Sequence, residues 1–194
     1  LRARFYNPVI GRFTQEDVYR GDGLNLYAYC GNNPVGYYDP SGYYCASKED
    51  TFNSTYDERI GQTPKSNGSW EDVRGESKFI SSNPEVNEVL AKYGMDGVEY
   101  TNGIPNFTKA AWGGDIVIKN MQGGEYGRAS NFAQAYAELS NKTGMPVKEL
   151  KSIAKDFELT WHECNDMKTM QLIPTIINGK FGHLGGVGEI NRGI

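Results

Sequence analysis

Phe157-Glu158-Leu159-Thr160-Trp161-His162 alternates apolar and polar residues strictly, which is the period of a strand whose two faces meet different surroundings. Glu158, Thr160 and His162 fall on one face, expected to be the open one, so His162 points away from the Trp161 side. Asn165-Asp166 supplies turn chemistry, residues 169–173 read as the return strand, and Pro174 suits the first turn of a short helix running toward His183. The frame is strand, turn, strand, helix. His162 and His183, the two histidines of the chain, bracket it.

Upstream, 115–119 is strand-like and 130–139 is helix-like, with Ser130 as a cap. A second helix follows Pro146, where Val147, Leu150, Ile153 and Ala154 recur on one face. Residues 96–194 therefore read as a compact α+β domain. Residues 44–95 are more polar and are broken by Pro64 and Pro84. They read as a linker or the N-terminal part of the following domain, with one short helix near Pro84–Lys92. Residues 1–43 are rich in tyrosine and in turn dipeptides (Asn7-Pro8, Asn33-Pro34, Asp39-Pro40, Ser41-Gly42) around short strand-like pieces such as 24–29, a β meander.

A chain of 194 residues has the length of one to one and a half domains and can bury a real core. Twenty Lys and Arg against 24 Asp and Glu give a net charge of −4, which excludes a general basic field for nucleic acid or anionic membrane. A nucleic-acid activity must come from a local site. No run approaches the roughly 18 apolar residues of a membrane helix. The chain begins at Leu1 without Met and reads as a piece of something longer. Cys30, Cys45 and Cys164 lack the CxxC spacing of a zinc or redox pair and read as free thiols.

Two stretches carry family resemblances. Arg4-Phe5-Tyr6-Asn7-Pro8, Gly11-Arg12-Phe13-Thr14-Gln15-Glu16-Asp17, Gly23-Leu24-Asn25-Leu26-Tyr27-Ala28-Tyr29, Gly31-Asn32-Asn33-Pro34 and Asp39-Pro40-Ser41-Gly42 together resemble the Rhs/YD-repeat associated core segment. The resemblance implies the closing part of a hollow β shell, a junction at Pro34 to Gly42, and a variable effector beyond it. Tyr43 stands where the family has Leu. Asp39 and Asp17 would be an autoproteolytic acid/base pair, since two carboxylates brought together can share a proton. The alternative is that Asp39-Pro40-Ser41-Gly42 is a plain β-turn.

The second stretch is Thr160-Trp161-His162-Glu163, Thr169-Met170-Gln171-Leu172-Ile173-Pro174 and Gly182-His183-Leu184-Gly185-Gly186. It resembles the HNH/endonuclease VII superfamily in its Trp-His-His toxin branch. The implied core is a ββα-metal motif that hydrolyses phosphodiester bonds of DNA with one divalent cation, Mg²⁺ or Mn²⁺ rather than Zn²⁺ or Ni²⁺. His162 would be the general base, and His183, Asn178 and Glu163 the metal ligands. The reverse, with His162 as ligand and Glu163 as base, stays open. On an ideal strand Glu163 faces away from His162, so a bulge or strand end is needed. Asn178 lies five residues before His183 and cannot share its helix face unless the helix breaks.

The resemblances together imply an effector delivered from a bacterium into a competitor's cytoplasm. Its partners would be DNA, a cognate immunity protein and the rest of the Rhs shell. A non-catalytic binding tip and an RNase using the same site are the alternatives. Arg128 and Lys180 are candidate phosphate contacts, and Gly185-Gly186-Val187-Gly188 reads as a turn.

Overall fold

The computed structural model describes residues 4–16, 25–32, 34, 37–38, 46–47 and 52–193. Asp17, Asp39, Tyr43 and Cys45 lie outside the described residues. At the N-terminus β1 (Tyr6–Asn7) pairs with β2 (Arg12–Phe13), and β3 (Tyr37–Tyr38) pairs with β4 (Ala46–Ser47). Tyr6, Phe13 and Tyr29 pack ring against ring, and the Arg4 guanidinium lies 3.7 Å above the Phe13 ring. The strand expected over 24–29 reduces, among its described residues, to one bridge between Ala28 and Arg12, because Asn25 turns the chain by accepting from the Tyr27 amide.

From Phe52 onward the stretch read as a linker or the N-terminal part of the following domain is folded. Thr55 and Glu58 form a reciprocal capping box that starts α1 (Tyr56–Gln62). β5 (Gly68–Trp70), β6 (Lys78–Ser81), β7 (Val98–Thr101) and β8 (Ile104–Pro105) form an antiparallel sheet in that order, crossed by α2 (Pro84–Lys92), which has the expected bounds and Asn83 as its cap. The pairing Lys78↔Glu99 crosses the expected boundary at 95/96. Phe79, Val86, Leu90, Val98, Tyr100 and Phe107 form one core with Ile173, Ile177 and Phe181. Burying each such side chain contributes about 1.5–3 kcal/mol. The polar composition of 44–95 concealed this because its few apolar residues find their partners far along the chain.

The second half is α+β as expected. β9 (Trp112–Val117), α3 (Gly124–Thr143), α4 (Val147–Asp156), β10 (Leu159–Glu163), β11 (Thr169–Pro174), α5 (Thr175–Lys180) and α6 (Gly186–Arg192) follow in order. The sheet order is β10-β11-β9, all antiparallel, with α3 and α4 packed on the face that carries Trp161, Met170 and Leu172. α3 starts six residues before the expected cap Ser130. Its N-terminus is hidden in sequence by Gly123 and Gly124, and the Gly124 amide is capped from a distance by Asn191 Oδ1 at 2.9 Å. Gly185-Gly186-Val187-Gly188, expected as a turn, opens α6. Among the described residues no helix is long and apolar enough to cross a membrane.

Candidate active site

β10 and β11 pair through Thr160↔Ile173, His162↔Gln171 and Glu163↔Met170, and Pro174 leads into α5. The strand–turn–strand–helix frame is therefore present. His183 lies beyond α5, in the connection to α6. Of the face expected to be open, Glu158 is exposed and Thr160 half-buried, but at His162 it is closed to water, contrary to expectation. His162 is 3% exposed because the Phe107 ring meets it edge-on at 5.0 Å and the His183 ring at 4.7 Å. Phe107 also meets His183 at 5.6 Å, so one phenyl ring from the β8–β9 connection fixes both imidazoles.

His183 Nδ1 lies 2.7 Å from the Phe181 carbonyl, to which it donates, so its Nε2 keeps an in-plane lone pair for a ligand. Burial lowers its pKa below the usual histidine value, with the Phe181 bond pulling the other way. Burial also lowers the His162 pKa to about 3, and His183 adds to this by charge repulsion, while the nearby Asn178 opposes it. Both rings are thus neutral at pH 7.

Asn178 sits in the middle of α5, and the helix ends at Lys180, where Phe181 takes an extended ψ of 88°. That break removes the helical-face objection and lets Asn178 and His183 line the same cavity. Asn178 Oδ1 is buried without a hydrogen-bond partner. A buried carbonyl oxygen without a partner, in one cavity with the His183 Nε2 lone pair, is a donor set suited to a cation.

Glu163 closes β10, and being at the strand end it reaches the same cavity as His162. Its carboxylate is taken up on the other side: Asn131 Nδ2 donates to Oε1 at 3.0 Å, and Arg128 Nε approaches Oε2 at 3.4 Å. Among the described residues no three His, Cys, Asp or Glu side chains converge as a metal cluster. Asn131 is fully buried and is itself locked to both backbone groups of Gln122.

His162, Glu163, Asn178 and His183, the four candidates, line one cavity of about 490 Å³ with Arg128, Phe132 and the first turn of α6. Arg128 stands 68% exposed at its rim. Sequence reasoning gave no role to Phe107 or Asn131. A fully apolar aromatic in a loop and an amide inside a helix carry no local sign of the group they hold. Lys180 does not line the cavity.

Residues 97–185 match the family described as the DNase/tRNase domain of colicin-like bacteriocin. The match spans β7 to the His183 connection and includes all four candidate residues. The similarity supports a nuclease toxin domain, with nucleic-acid hydrolysis as its chemistry. No curated protein matches the chain.

Proposed function

We propose that this chain carries a toxin effector of the HNH type that hydrolyses phosphodiester bonds of DNA with one divalent cation. The observation that supports this reading best is the pairing of two neutral, mutually packed imidazoles with the orphaned Asn178 Oδ1 in one cavity. His183 Nε2 and Asn178 Oδ1 would hold the cation, leaving positions for water and substrate, and a mixed nitrogen and oxygen set favours Mg²⁺ or Mn²⁺ over Zn²⁺ or Ni²⁺. When bound, the cation supplies Lewis acidity toward the phosphoryl oxygens.

The protein's own groups supply the rest. His162, neutral through burial, offers a lone pair to take a proton from the attacking water. A base of such low pKa would be weak in isolation. The negative phosphodiester brought beside it favours its protonated form and raises its basicity when substrate is present. Arg128 reaches the phosphate from the rim, and Glu163, held by Asn131, fixes the direction of its guanidinium. With its carboxylate engaged in this way, Glu163 is better placed to orient Arg128 than to act as base or ligand.

The assay is nicking of plasmid by the purified protein with Mg²⁺ or Mn²⁺, with EDTA and the variant His162→Ala as controls, and a structured RNA in parallel. Cleavage of DNA that needs the metal and His162 supports the reading; cleavage confined to RNA redirects it to an RNase. In the same reading the N-terminal residues close a Rhs shell that delivers the effector into a competitor's cytoplasm, and a separate immunity protein protects the producer. Asp39 and Asp17 would release the effector, which the intact mass of the full-length parent, wild type beside Asp39→Asn, tests directly.

A further inference from the structure

We propose that Glu189, with Ser54 and Asn165, forms a buried brace that sets the position of the His183 connection, which makes Glu189 a positioning residue for the candidate site. The functional half of this proposal rests on the reading of His183 as a working group. The structural half stands on its own.

Glu189 lies on α6 and is fully buried. Its carboxylate is answered by donors alone: Oε2 accepts from the Ser54 amide at 2.8 Å, and Oε1 accepts from Ser54 Oγ at 2.6 Å and Asn165 Nδ2 at 3.0 Å. Asn165, 3% exposed, uses the same Nδ2 to donate to the Leu184 carbonyl at 2.6 Å, one residue beyond His183. Its Oδ1 is buried with no partner. An amide that commits its nitrogen twice and leaves its oxygen orphaned is held in place for its donors.

On the other side of Ser54, Arg59 donates Nη1 to the Ser54 carbonyl at 2.7 Å and hydroxyl at 3.0 Å, and reaches Asn102 with Nε and Nη2. A buried guanidinium and a buried carboxylate are thus joined through one serine. The chain of contacts runs from the β7–β8 turn through α1 and α6 to the β10–β11 turn and ends at Leu184.

The connection it ends on is pinned carbonyl by carbonyl. Phe181 O accepts from His183 Nδ1, Gly182 O from the Tyr100 hydroxyl at 3.0 Å, and Leu184 O from Asn165. Two glycines let neighbouring backbone come close: a Cβ on Gly182 would lie 2.6 Å from the Gln62 carbonyl oxygen, and one on Gly186 2.4 Å from that of Cys164. α6 has seven residues, too few to hold itself, and its place is set by ties to the rest of the chain: Glu189 to Ser54 and Asn165, Asn53 Nδ2 to the Glu189 carbonyl, Asn191 to the Gly124 amide and Arg192 to Glu58. An apolar residue at 189 would fill the same space. It would not direct the Asn165 amide at Leu184, and that direction is what the buried charge supplies.

The test is Glu189→Gln in the full chain. The substitution keeps the shape but turns an NH₂ toward groups that are themselves donors. Two readouts are taken: hydrogen exchange of the Phe181 and Glu189 amides, which are bonded on either side of the connection, in the metal-free protein, and Mn²⁺ affinity by calorimetry, with Arg192→Ala on the same helix as the comparator. The expected result is a loss of protection of tenfold or more at Phe181 and Glu189 with α4 amides unchanged, and Mn²⁺ binding weaker by tenfold or more. If Glu189→Gln does not fold, Ser54→Ala is measured in the same way, with a threefold effect expected because the Ser54 amide bond remains. Unchanged exchange at Phe181 and Glu189 in the folded variant, or loosening equal there and in α4, overturns the brace. A wild type that binds no Mn²⁺ and cuts no nucleic acid overturns the nuclease reading instead, and the exchange result still decides the brace.

Discussion

Asn131→Asp tests the geometry around Glu163 most sharply, since it changes to an oxygen the one NH₂ that donates to both Glu163 Oε1 and the Gln122 carbonyl. Asn131 Nδ2 lies 3.0 Å from Glu163 Oε1, and both residues are buried. Two carboxylates at that distance repel by about 5 kcal/mol at an effective dielectric constant near 20. The protein can avoid this by keeping one of them protonated. At pH 7, against an ordinary glutamate pKa, that costs about 4 kcal/mol. The second route is the cheaper and sets the penalty. Arg128, exposed and 3.4 Å from the other Glu163 oxygen, offsets no more than about 1 kcal/mol of it. The lost bond to the Gln122 carbonyl adds about 1 kcal/mol, so the variant should be less stable than the wild type by about 4 kcal/mol at pH 7. The sign with pH follows from the shared proton, which the folded variant binds and the unfolded chain at pH 7 does not. The penalty is full at neutral pH, shrinks as pH falls, and is about 2 kcal/mol or less at pH 5, where the proton restores the bond to Glu163 but not the one to Gln122. Urea unfolding of both proteins at pH 7 and pH 5, with equal m-values, measures the difference. A gap within about 0.5 kcal/mol at pH 7, or one that fails to shrink at pH 5, would refute the contact.

His162→Ala should abolish plasmid cleavage and also lower stability by about 1–2 kcal/mol, because the ring is buried between Phe107 and His183; turnover near wild type would remove it from the mechanism. Arg128→Ala should change stability by less than about 1 kcal/mol, the guanidinium being largely exposed, yet reduce cleavage at least tenfold, and unchanged steady-state kinetics would leave Arg128 a surface charge. In EDTA, the folded pKa of His162 near 3 lies below its unfolded value, so stability is full above about pH 6.5 and falls as pH drops toward 3, by up to about 1.4 kcal/mol per unit. His183 acts in the same direction, and His162→Gln should flatten the slope in denaturation curves taken between pH 7 and pH 4. Expression in a bacterium without an immunity partner should be toxic, with His162→Ala/His183→Ala relieving it; equal toxicity from the double variant would point to another mechanism.

The α+β class and the strand–turn–strand–helix frame were legible in the sequence. Alternation ending at His162, Pro174 after a second apolar run and the scarcity of histidine singled out His162 and His183, the family resemblance added Glu163 and Asn178, and all four line one cavity. Burial was not legible. The cover over His162 comes from Phe107, in a loop, and from the His183 connection, and strand period says which way a side chain points but not what lies there. The folded nature of 52–95 was hidden for a related reason. Trp70, Phe79, Val86 and Leu90 are sparse in their own segment, and their partners Ile173, Ile177 and Phe181 are brought near only by the tertiary fold. The start of α3 escaped because a distant residue, Asn191, performs the capping that a local Ser or Asp usually signals.

The charges around the cavity explain how a chain of net charge −4 can handle a polyanion. Among the residues that line it, Arg128 and Glu163 are the charged pair, and burial keeps His162 and His183 neutral. The lining therefore sums to no charge and has no strip of lysines to follow a phosphate backbone, so counterion release at the cavity gives little affinity. Neutrality has a chemical advantage here. A positive lining would bind phosphate in substrate and transition state alike and hold the product as well, whereas donors that wait uncharged respond most where charge develops. In the proposed mechanism the same burial that keeps His162 neutral would let an incoming phosphodiester return basicity to it, so that the base would be competent where substrate lies and weak elsewhere. Phe107 is central to both effects, because it excludes water from the two rings while contributing no charge of its own.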